Sequence, residues 1–344
     1  MPKYNIMKIL VTGCAGFVGF HLVKKLLPFK YYITGIDNLN DYYDRKLKKD
    51  RLNYLKKINH KSKFNFFKID IKDSKKLEKI FNKNKFDIVI NLAAQAGVRY
   101  SLVNPKSYVD NNILGFFNIL NLSKKYNIKH LIFASTSSVY GNTKKFPIKE
   151  TDNTSQPIQI YAASKKTNEI MAYSYSTLYN MKITGLRFFT VYGPWGRPDM
   201  ALSIFTKSIL DKKPIKLFNY GDHTRDFTYV DDIVCGIKNL LTNKGSSKKK
   251  FNIYNLGNSS PISLKNYVNL IEKKLNIKAK KTYLPLQKGD VKKTHSDTSL
   301  AKKDFNFKSK TPPDKGISEF INWYLGYYGR KQRKNWFKKL GYNY

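Results

Sequence analysis

A tyrosine and a lysine spaced four residues apart, Tyr161 and Lys165, form the pair with the most specific chemistry in this chain. On a helix that spacing places both side chains on one face. A phenol with a pKa of about 10 is a poor base near neutral pH, but a neighbouring ammonium stabilises the phenolate. A run of hydroxyl residues, Ser135 to Ser138, precedes the tyrosine and can hydrogen-bond a reacting alcohol. The combination predicts a base that removes a proton from a hydroxyl group.

A glycine-rich turn supplies the second motif. Gly13, Gly16 and Gly19 follow an apolar run and open a helix-length segment. Glycine there permits a tight turn and lets a pyrophosphate approach backbone N–H groups at the helix N-terminus. Asp37, 18 residues after Gly19, ends the next apolar run, where its carboxylate can accept hydrogen bonds from both hydroxyls of a ribose. Because that carboxylate would repel a 2′-phosphate, the two motifs predict NAD rather than NADP as the cofactor.

Short apolar runs and helix-length segments alternate through the first half of the chain. The predicted strands span residues 8–12, 31–36, 64–69, 87–92, 130–135 and 182–188, and the predicted helices span 17–27, 74–82, 105–126 and 161–179. This alternation predicts an α/β fold with a Rossmann-type, doubly wound parallel sheet. After residue 193 the elements become shorter and turn residues more frequent, which predicts a smaller C-terminal α/β domain that binds the substrate.

The length of 344 residues corresponds to about two domains. The predicted boundaries are 1–185 for the NAD-binding domain, 186–330 for the substrate domain, with some of its segments returning to the first domain, and 331–344 for a basic aromatic tail. No apolar stretch approaches the roughly 18 residues of a membrane span. No secretory signal precedes the first strand, so we expect no membrane partner and a cytoplasmic location.

Charge and cysteine content narrow the function further. The 64 Lys and Arg residues against 24 Asp and Glu give a net charge of +40, but the lysines are scattered along the whole chain. No nucleic-acid-binding motif accompanies them, so we expect solvated basic faces and no nucleic-acid partner. With two cysteines, Cys14 and Cys235, the chain forms neither a disulfide scaffold nor a multi-cysteine metal site. We expect no bound metal.

Together the motifs resemble those of the extended short-chain dehydrogenases/reductases, in the family of NAD-dependent nucleotide-sugar epimerases and dehydratases. The resemblance extends from residue 7 to about residue 325. Its matching segments are residues 13–19, 38–44, 94–101, 135–141, 161–165, 187–198 and 225–227. Segments 40–44 (Asn-Asp-Tyr-Tyr-Asp) and 96–101 (Ala-Gly-Val-Arg-Tyr-Ser) are most similar to the UDP-glucuronate 4-epimerases within that family.

The resemblance implies a role for each matching residue. Tyr161 would be the base, Lys165 would lower its pKa and bind the nicotinamide ribose, and Thr136 would hydrogen-bond O4 of the sugar. The residues implied to contact NAD are Gly13, Gly16, Phe17, Val18, Gly19, Asp37, Asn38, Asp70, Ile71, Leu92, Ala93, Ala94, Gln95, Asn111, Tyr161 and Lys165. Those implied to bind the UDP-sugar are Arg99, Ser137, Ser138, Thr190, Arg197, Arg225 and Asp290, while Gln287 stands where some relatives carry an arginine.

The implied reaction is an NAD-dependent epimerisation of UDP-glucuronate to UDP-galacturonate. Tyr161 would take the proton of the C4 hydroxyl while the C4 hydride passes to NAD, which leaves a 4-keto sugar. The ring would turn over and the hydride would return to its opposite face, so that NAD is regenerated in each cycle. The predicted helices 105–126 and 161–179 match those that pair across the dimer interface of the family, so a homodimer is expected by analogy.

Relatives that share the first step define the alternatives. Dehydratases carry Asp-Glu directly after the catalytic threonine, and UDP-glucuronate decarboxylases carry a glutamate in the same segment, whereas this chain has Ser137 and Ser138 there. UDP-glucose 4-epimerase needs no such carboxylate and is the main alternative, although Arg99, Thr190 and Arg197 offer more donors than a neutral hydroxymethyl group needs. A non-catalytic NAD-binding or nucleic-acid-binding protein is the alternative from another class.

Arginine is rare in this lysine-rich chain, with eight residues. Its planar guanidinium binds phosphate and carboxylate bidentately, which lysine cannot reproduce. Half of the arginines lie in the matching segments, namely Arg99, Arg187, Arg197 and Arg225. We expect the planar geometry of the guanidinium to explain why arginine is used at these four positions. The alternative for each of them is a structural ion pair.

Overall fold

Strands and helices alternate along the computed structural model, which describes residues 6–59, 63–242 and 249–329. The strands are β1 (Met7–Thr12), β2 (Tyr31–Asp37), β3 (Phe64–Lys68), β4 (Ile88–Asn91), β5 (His130–Thr136), β6 (Ile183–Phe188), β7 (Thr190–Tyr192), β8 (Ile215–Leu217), β9 (Thr224–Arg225), β10 (Phe227–Tyr229), β11 (Phe251–Leu256), β12 (Ile262–Ser263) and β13 (Lys281–Tyr283). The α-helices are α1 (Phe17–Leu26), α2 (Arg45–Lys57), α3 (Ser74–Asn84), α4 (Tyr100–Val103), α5 (Lys106–Tyr108), α6 (Gly115–Lys125), α7 (Ile160–Tyr179), α8 (Ala201–Leu210), α9 (Val230–Thr242), α10 (Leu264–Leu275), α11 (Ser299–Phe305) and α12 (Pro313–Tyr328). The predicted tail, residues 331–344, lies outside the described residues.

Seven of these strands form one parallel sheet, because each is a largely apolar run that can be buried on both faces. The strand order is β11-β6-β5-β4-β1-β2-β3. In this order β1 pairs with β2 on one side, where Ile9 lies opposite Ile33, and with β4 on the other, where Ile9 lies opposite Ile88. The order reverses at β1, and such a reversal opens a crevice at the carboxyl edge of a sheet. The predicted Rossmann-type, doubly wound sheet is confirmed.

Helices cover both faces of the sheet. On one face lie α1, α2, α9 and α11, whose buried side chains include Phe20 and Ile237. On the other face lie α3, α6 and α7, whose buried side chains include Phe81 and Ile119. Because both faces are covered, the sheet is the middle layer of three. Within the described ranges, no helix is both long and apolar enough to cross a bilayer.

A separate core forms where α8, α10 and α12 pack around the short strands β7, β8 and β10. Within it, the rings of Phe227 and Tyr267 stack with their centroids 3.9 Å apart. This part of the chain lies where the sequence predicts the smaller substrate domain. The boundary at residue 185 stays a prediction, since β6 runs through that position while β11, α9 and α11 belong to the large sheet and its covering helices.

The predicted helix over residues 105–126 is interrupted. Residues 109–114 form a π-helical turn between α5 and α6. The Asn112 amide accepts a hydrogen bond from the Gln95 nitrogen at 2.8 Å and donates to the Gln95 carbonyl at 3.0 Å and to Ser164 Oγ at 2.9 Å. These bonds hold the helix against the loop after β4. Widened turns of this kind are frequent at functional sites, and the adjacent Asn111 lines the cavity described next.

Candidate active site

A cavity of about 370 Å³ lies at the carboxyl edge of the sheet, beside the ends of β1, β4 and β5. Its wall contains every residue that the sequence assigned to the cofactor or the substrate, except Asp70, Arg99, Arg225 and Asp290. Segments distant in sequence meet here because parallel strands end at the same edge. In the part of the chain that the structure describes, no group of three or more His, Cys, Asp and Glu side chains is placed to hold a metal ion.

The glycine loop, residues 13–19, needs glycine for space. Gly13 has a φ of +68°, and a Cβ on it would lie 2.8 Å from the Ala93 nitrogen. A Cβ on Gly16 would lie 2.9 Å from the Gly13 oxygen, and one on Gly19 would lie 2.1 Å from it. Helix α1 begins at Phe17, so the loop brings a helix N-terminus to the cavity. This tight cradle fits the pyrophosphate of a dinucleotide.

Asp37 is the last residue of β2 and faces the glycine loop. Its carboxylate accepts hydrogen bonds from two backbone N–H groups, one of them that of Ala15 at 3.2 Å. Burial raises the pKa of Asp37, while these hydrogen bonds and the charge of Lys48 lower it. The neighbouring Asn38 donates to Asp70 at 3.0 Å. Asp70 therefore stands behind a lining residue instead of lining the cavity itself.

Two elements hold the candidate base. Thr136 ends β5, and α7, which begins at Ile160, carries Tyr161 and Lys165 in its first turns. The Lys165 ammonium donates a hydrogen bond to the Ala134 carbonyl of β5 at 2.9 Å. This bond fixes the ammonium against the end of the strand. Thr136, Tyr161 and Lys165 therefore line the same cavity as the glycine loop.

Burial controls the protonation of this pair. It raises the pKa of Tyr161, against the Thr136 hydroxyl and the charge of Arg197, which lower it. It lowers the pKa of Lys165 to about 8. The resemblance implies that Lys165 lowers the pKa of Tyr161, but in the protein alone the desolvation of the phenolate outweighs its favourable interactions with Thr136 and Arg197. When bound, the nicotinamide ring of NAD would add a positive charge to the cavity.

The arginine nearest this base is already paired. Arg197 donates from Nε to Asp199 at 3.0 Å and from Nη2 at 2.5 Å, and the Tyr42 hydroxyl donates to the same carboxylate at 2.9 Å. Burial alone would raise the pKa of Asp199, but Arg197 and Tyr42 lower it by a larger amount. The pKa of Asp199 is therefore below its ordinary value, and this carboxylate stays charged. The sequence assigned the Arg197 fork to a substrate carboxylate. In the structure Asp199 accepts two of its hydrogen bonds.

A second cluster lies outside the cavity wall. The Asp290 carboxylate lies 3.7 Å from the guanidinium of Arg99, 3.9 Å from that of Arg225 and 4.0 Å from Nε2 of His223. Burial lowers the pKa of Arg225 to about 10. Two guanidinium groups around one carboxylate leave an excess of positive charge. The structure thus brings Arg225 and Asp290, which the resemblance assigns to the UDP group, together with Arg99, which it assigns to the UDP-sugar.

The sequence did not predict part of the cavity wall, and it left the role of one arginine open. Tyr42, Tyr43 and Lys48 line the cavity from the segment after β2. The signal was visible, because Asn-Asp-Tyr-Tyr-Asp is one of the matching segments, but no residue of it received a role. Arg187 is structural, since it donates two hydrogen bonds of 2.8 Å to the buried carboxylate of Glu169. For Arg187 the ion-pair alternative is correct.

Three comparisons with known proteins agree with this arrangement. A model described as the NAD dependent epimerase/dehydratase family matches residues 9–257. The chain is 48% identical to protein CapI of Staphylococcus aureus, over 94% of this chain and 99% of that protein. It is 45% identical to UDP-glucuronate 4-epimerase 5 of Arabidopsis thaliana, over 96% of this chain and 78% of that protein. The crystal structure of UDP-glucuronic acid 4-epimerase from Bacillus cereus, in complex with UDP-glucuronic acid and NAD, superposes with a TM-score of 0.87 at 33% identity, over 93% of this chain and 99% of that chain.

The position of Asp37 predicts the choice of dinucleotide. Because its carboxylate would repel a 2′-phosphate, we expect NAD to bind roughly 100-fold more tightly than NADP. Asp37→Asn should reduce the preference to within about tenfold by removing the charge. Titration calorimetry with both dinucleotides measures the ratio. Asp70→Asn, which removes a nearby carboxylate behind the cavity wall, is the control and should keep the preference; equal affinity of the unmodified protein for NAD and NADP would contradict the assignment.

Proposed function

The chain belongs to the NAD dependent epimerase/dehydratase family, and we propose that it interconverts UDP-glucuronate and UDP-galacturonate by NAD-dependent epimerisation at C4. One observation carries the proposal. Thr136, Tyr161 and Lys165 line the cavity that the dinucleotide cradle also lines, while Ser137 and Ser138 offer hydroxyl groups and no carboxylate. A site of this composition can take up and return a proton at a hydroxyl, but it has no acid at these positions to expel a leaving group.

The side chains of this site divide the proton chemistry between them. Tyr161 takes the proton of the C4 hydroxyl and gives it back after the sugar has turned over. Thr136 donates a hydrogen bond to O4 and so holds this oxygen next to the base. Lys165, fixed on the Ala134 carbonyl, keeps a positive charge beside the phenolate. When bound, NAD supplies the acceptor that removes the C4 hydride and returns it, which makes the intermediate a 4-keto sugar.

The carboxylate of the substrate imposes a second requirement. Oxidation at C4 of a glucuronate places a ketone β to the C5 carboxylate, and such acids lose CO₂ when the breaking bond aligns with the carbonyl π system. An epimerase must therefore hold the carboxylate away from that alignment. We assign this task to the hydroxyls of Ser137, Ser138 and Thr190 and to Arg197, which all line the cavity. Asp199 orients Arg197 and leaves it N–H donors for the substrate.

UDP-glucose 4-epimerisation is the second candidate, and one observation favours it. The bidentate ion pair with Asp199 already neutralises Arg197, and a neutral hydroxymethyl group needs no cation. Against this candidate, the relatives named above as UDP-glucuronate 4-epimerases resemble this chain along most of its length. UDP-glucuronate is therefore the substrate that we propose.

We propose further that the chain forms a homodimer through α6, α7 and the π-helical turn. Large apolar side chains are exposed there, namely Leu114, Phe117, Ile170, Tyr173 and Leu178. Exposed apolar groups on adjacent helices are typical of a surface that another protein covers. A measurement of mass in solution tests the dimer.

The two cysteines are free, with Cys14 buried, which supports a reducing compartment such as the cytoplasm.

Tyr161→Phe should abolish turnover of UDP-glucuronate and leave NAD bound, because it removes the base and keeps the cofactor cradle. Thr136→Ala should lower kcat less, by roughly 10- to 100-fold, since one hydrogen bond to the reacting oxygen is lost. Steady-state rates and the absorbance of protein-bound dinucleotide measure both effects. Tyr175→Phe, a change farther along α7 and outside the cavity wall, removes a phenol hydroxyl that donates to Asn121 and is the control that should leave the rate unchanged. More than a few per cent of activity in Tyr161→Phe would remove Tyr161 from the role of base.

The substrate is tested by incubating the protein with UDP-glucuronate and, separately, with UDP-glucose, with both products followed by NMR. We expect UDP-galacturonate to form roughly 100-fold faster than UDP-galactose, because buried donors left without the carboxylate are costly. Arg197→Ala should raise KM for UDP-glucuronate about tenfold, with slower epimerisation and some release of UDP-pentose and CO₂. Lys207→Ala, which removes an exposed charge from α8, is the control. Unchanged affinity and rate in Arg197→Ala would favour the UDP-glucose alternative.

A further inference from the structure

Arg51 of α2 is the fully buried arginine that joins three segments of the chain. Its Nη1 donates to the Ala15 carbonyl of the glycine loop at 2.8 Å and to the Tyr43 hydroxyl at 2.7 Å. Its Nη2 donates to the Trp195 carbonyl at 2.5 Å. The side chain is 0% exposed, so it cannot touch a ligand and lies behind the cavity wall. All three acceptors are uncharged. Burying a guanidinium without a carboxylate partner costs free energy, so stability alone does not explain the position of Arg51.

The segment bound by Nη2 is the substrate loop, residues 193–199, which carries Arg197. Trp195 has a φ of +59°, a left-handed conformation that a bulky residue rarely adopts. Its ring is held by aromatic neighbours, with centroids 5.3 Å from Phe20, 5.5 Å from Trp323 and 5.1 Å from Tyr327. The hydrogen bond from Arg51 holds the carbonyl of the same strained residue. Strain of this kind persists only where the surroundings over-determine it.

A second connection reaches the same loop. Tyr43, which accepts the hydrogen bond from Arg51, follows Tyr42, whose hydroxyl donates to Asp199 at 2.9 Å. Asp199 in turn orients the Arg197 fork. Arg51 is thus connected to Arg197 twice, once through the Trp195 backbone and once through the two tyrosines. The other end of the same guanidinium holds the glycine loop.

We propose that Arg51 is a positioning residue that couples the cofactor-binding glycine loop to the substrate loop and thereby aims Arg197 at the sugar. This inference rests on the proposed function, because it takes the glycine loop as the dinucleotide site and Arg197 as the substrate contact. The guanidinium of Arg51 is rigid and planar and is hydrogen-bonded to both loops. A displacement of one loop is therefore transmitted to the other. An ordered glycine loop therefore favours the substrate loop in its binding conformation, and the coupling is reciprocal.

The arrangement predicts which kinetic constants change. Thr136, Tyr161 and Lys165 lie on β5 and α7, to which Arg51 makes no hydrogen bond among the described residues. Loss of Arg51 should therefore leave the chemical step largely intact and weaken binding at two places together, the dinucleotide and the sugar. Loss of a residue with a purely structural role would not weaken dinucleotide binding and sugar binding together.

The test uses the NAD-loaded protein and two variants of Arg51. We expect Arg51→Met to raise KM for UDP-glucuronate about tenfold and to speed the loss of NAD on dialysis about tenfold, with kcat changed less than about threefold. Arg51→Lys, which keeps the charge but cannot reach three acceptors, should restore each value only in part. Leu55→Ala, a fully buried residue of the same helix, is the control for lost stability and should keep both values. Asp199→Asn, which affects the substrate loop alone, should raise KM without loss of NAD.

The results for Arg51→Met and its control either support or contradict the proposed coupling. If Arg51→Met, measured at the same interval below its melting temperature as Leu55→Ala, shows the same KM and the same NAD loss as that control, the proposal is wrong. It is also wrong if only one of the two quantities changes. If Arg51→Met does not fold, Arg51→Lys decides, and unchanged values in it overturn the proposal. If the unmodified protein binds UDP-glucuronate without converting it, the proposed function fails, and the affinities for UDP-glucuronate and NAD, measured by calorimetry, still test Arg51.

Discussion

All seven strands of the central sheet run in the same direction, so β1, β2, β4 and β5 release the chain at a single edge. Everything else in the site depends on this constraint. The turn after β1 forms a tight cradle only because Gly13 has no Cβ, since a Cβ there would lie 2.8 Å from the nitrogen of Ala93, which follows β4. The end of β5 supplies Thr136 and the carbonyl that fixes Lys165. A shift of one strand in register would separate groups that now share one cavity.

Burial at this edge then sets the chemistry. The same low-polarity surroundings raise the pKa of Tyr161 and lower that of Lys165, so the apoprotein alone does not hold a ready phenolate. We propose that the cationic ring of the dinucleotide, when bound, would stabilise the Tyr161 phenolate as well as accept the hydride. Arg197, by contrast, keeps its charge through Asp199, whose carboxylate stays ionised beside it. In this proposal the protein itself fixes the charge of Arg197, and bound NAD would complete the environment of the base.

The sequence predicts this fold because strands of a parallel sheet are nearly continuous apolar runs, and the six that were predicted, from β1 to β6, lie within two residues of their observed ends. Helix α2 was missed because nine of its thirteen residues are polar or charged, and among its aliphatic residues only Leu47, Leu52 and Leu55 mark its buried face. The π-helical turn was missed because its cause, the bonds of Asn112 to the loop after β4, joins residues far apart in sequence. Asp199 and Arg51 escaped notice for the same reason, since their partners are defined only by tertiary contacts.

In the proposed mechanism the sugar is oxidised and reduced again at C4 within one cavity. The most direct measurement uses UDP-glucuronate that carries deuterium at C4, with the protein in ordinary water. We expect UDP-galacturonate with the deuterium retained at C4, because the hydrogen removed from carbon would not exchange with solvent and only the hydroxyl proton, which we assign to Tyr161, would exchange. Protium at C4 of the product would contradict this mechanism, since it would mean that the carbon-bound hydrogen leaves as a proton.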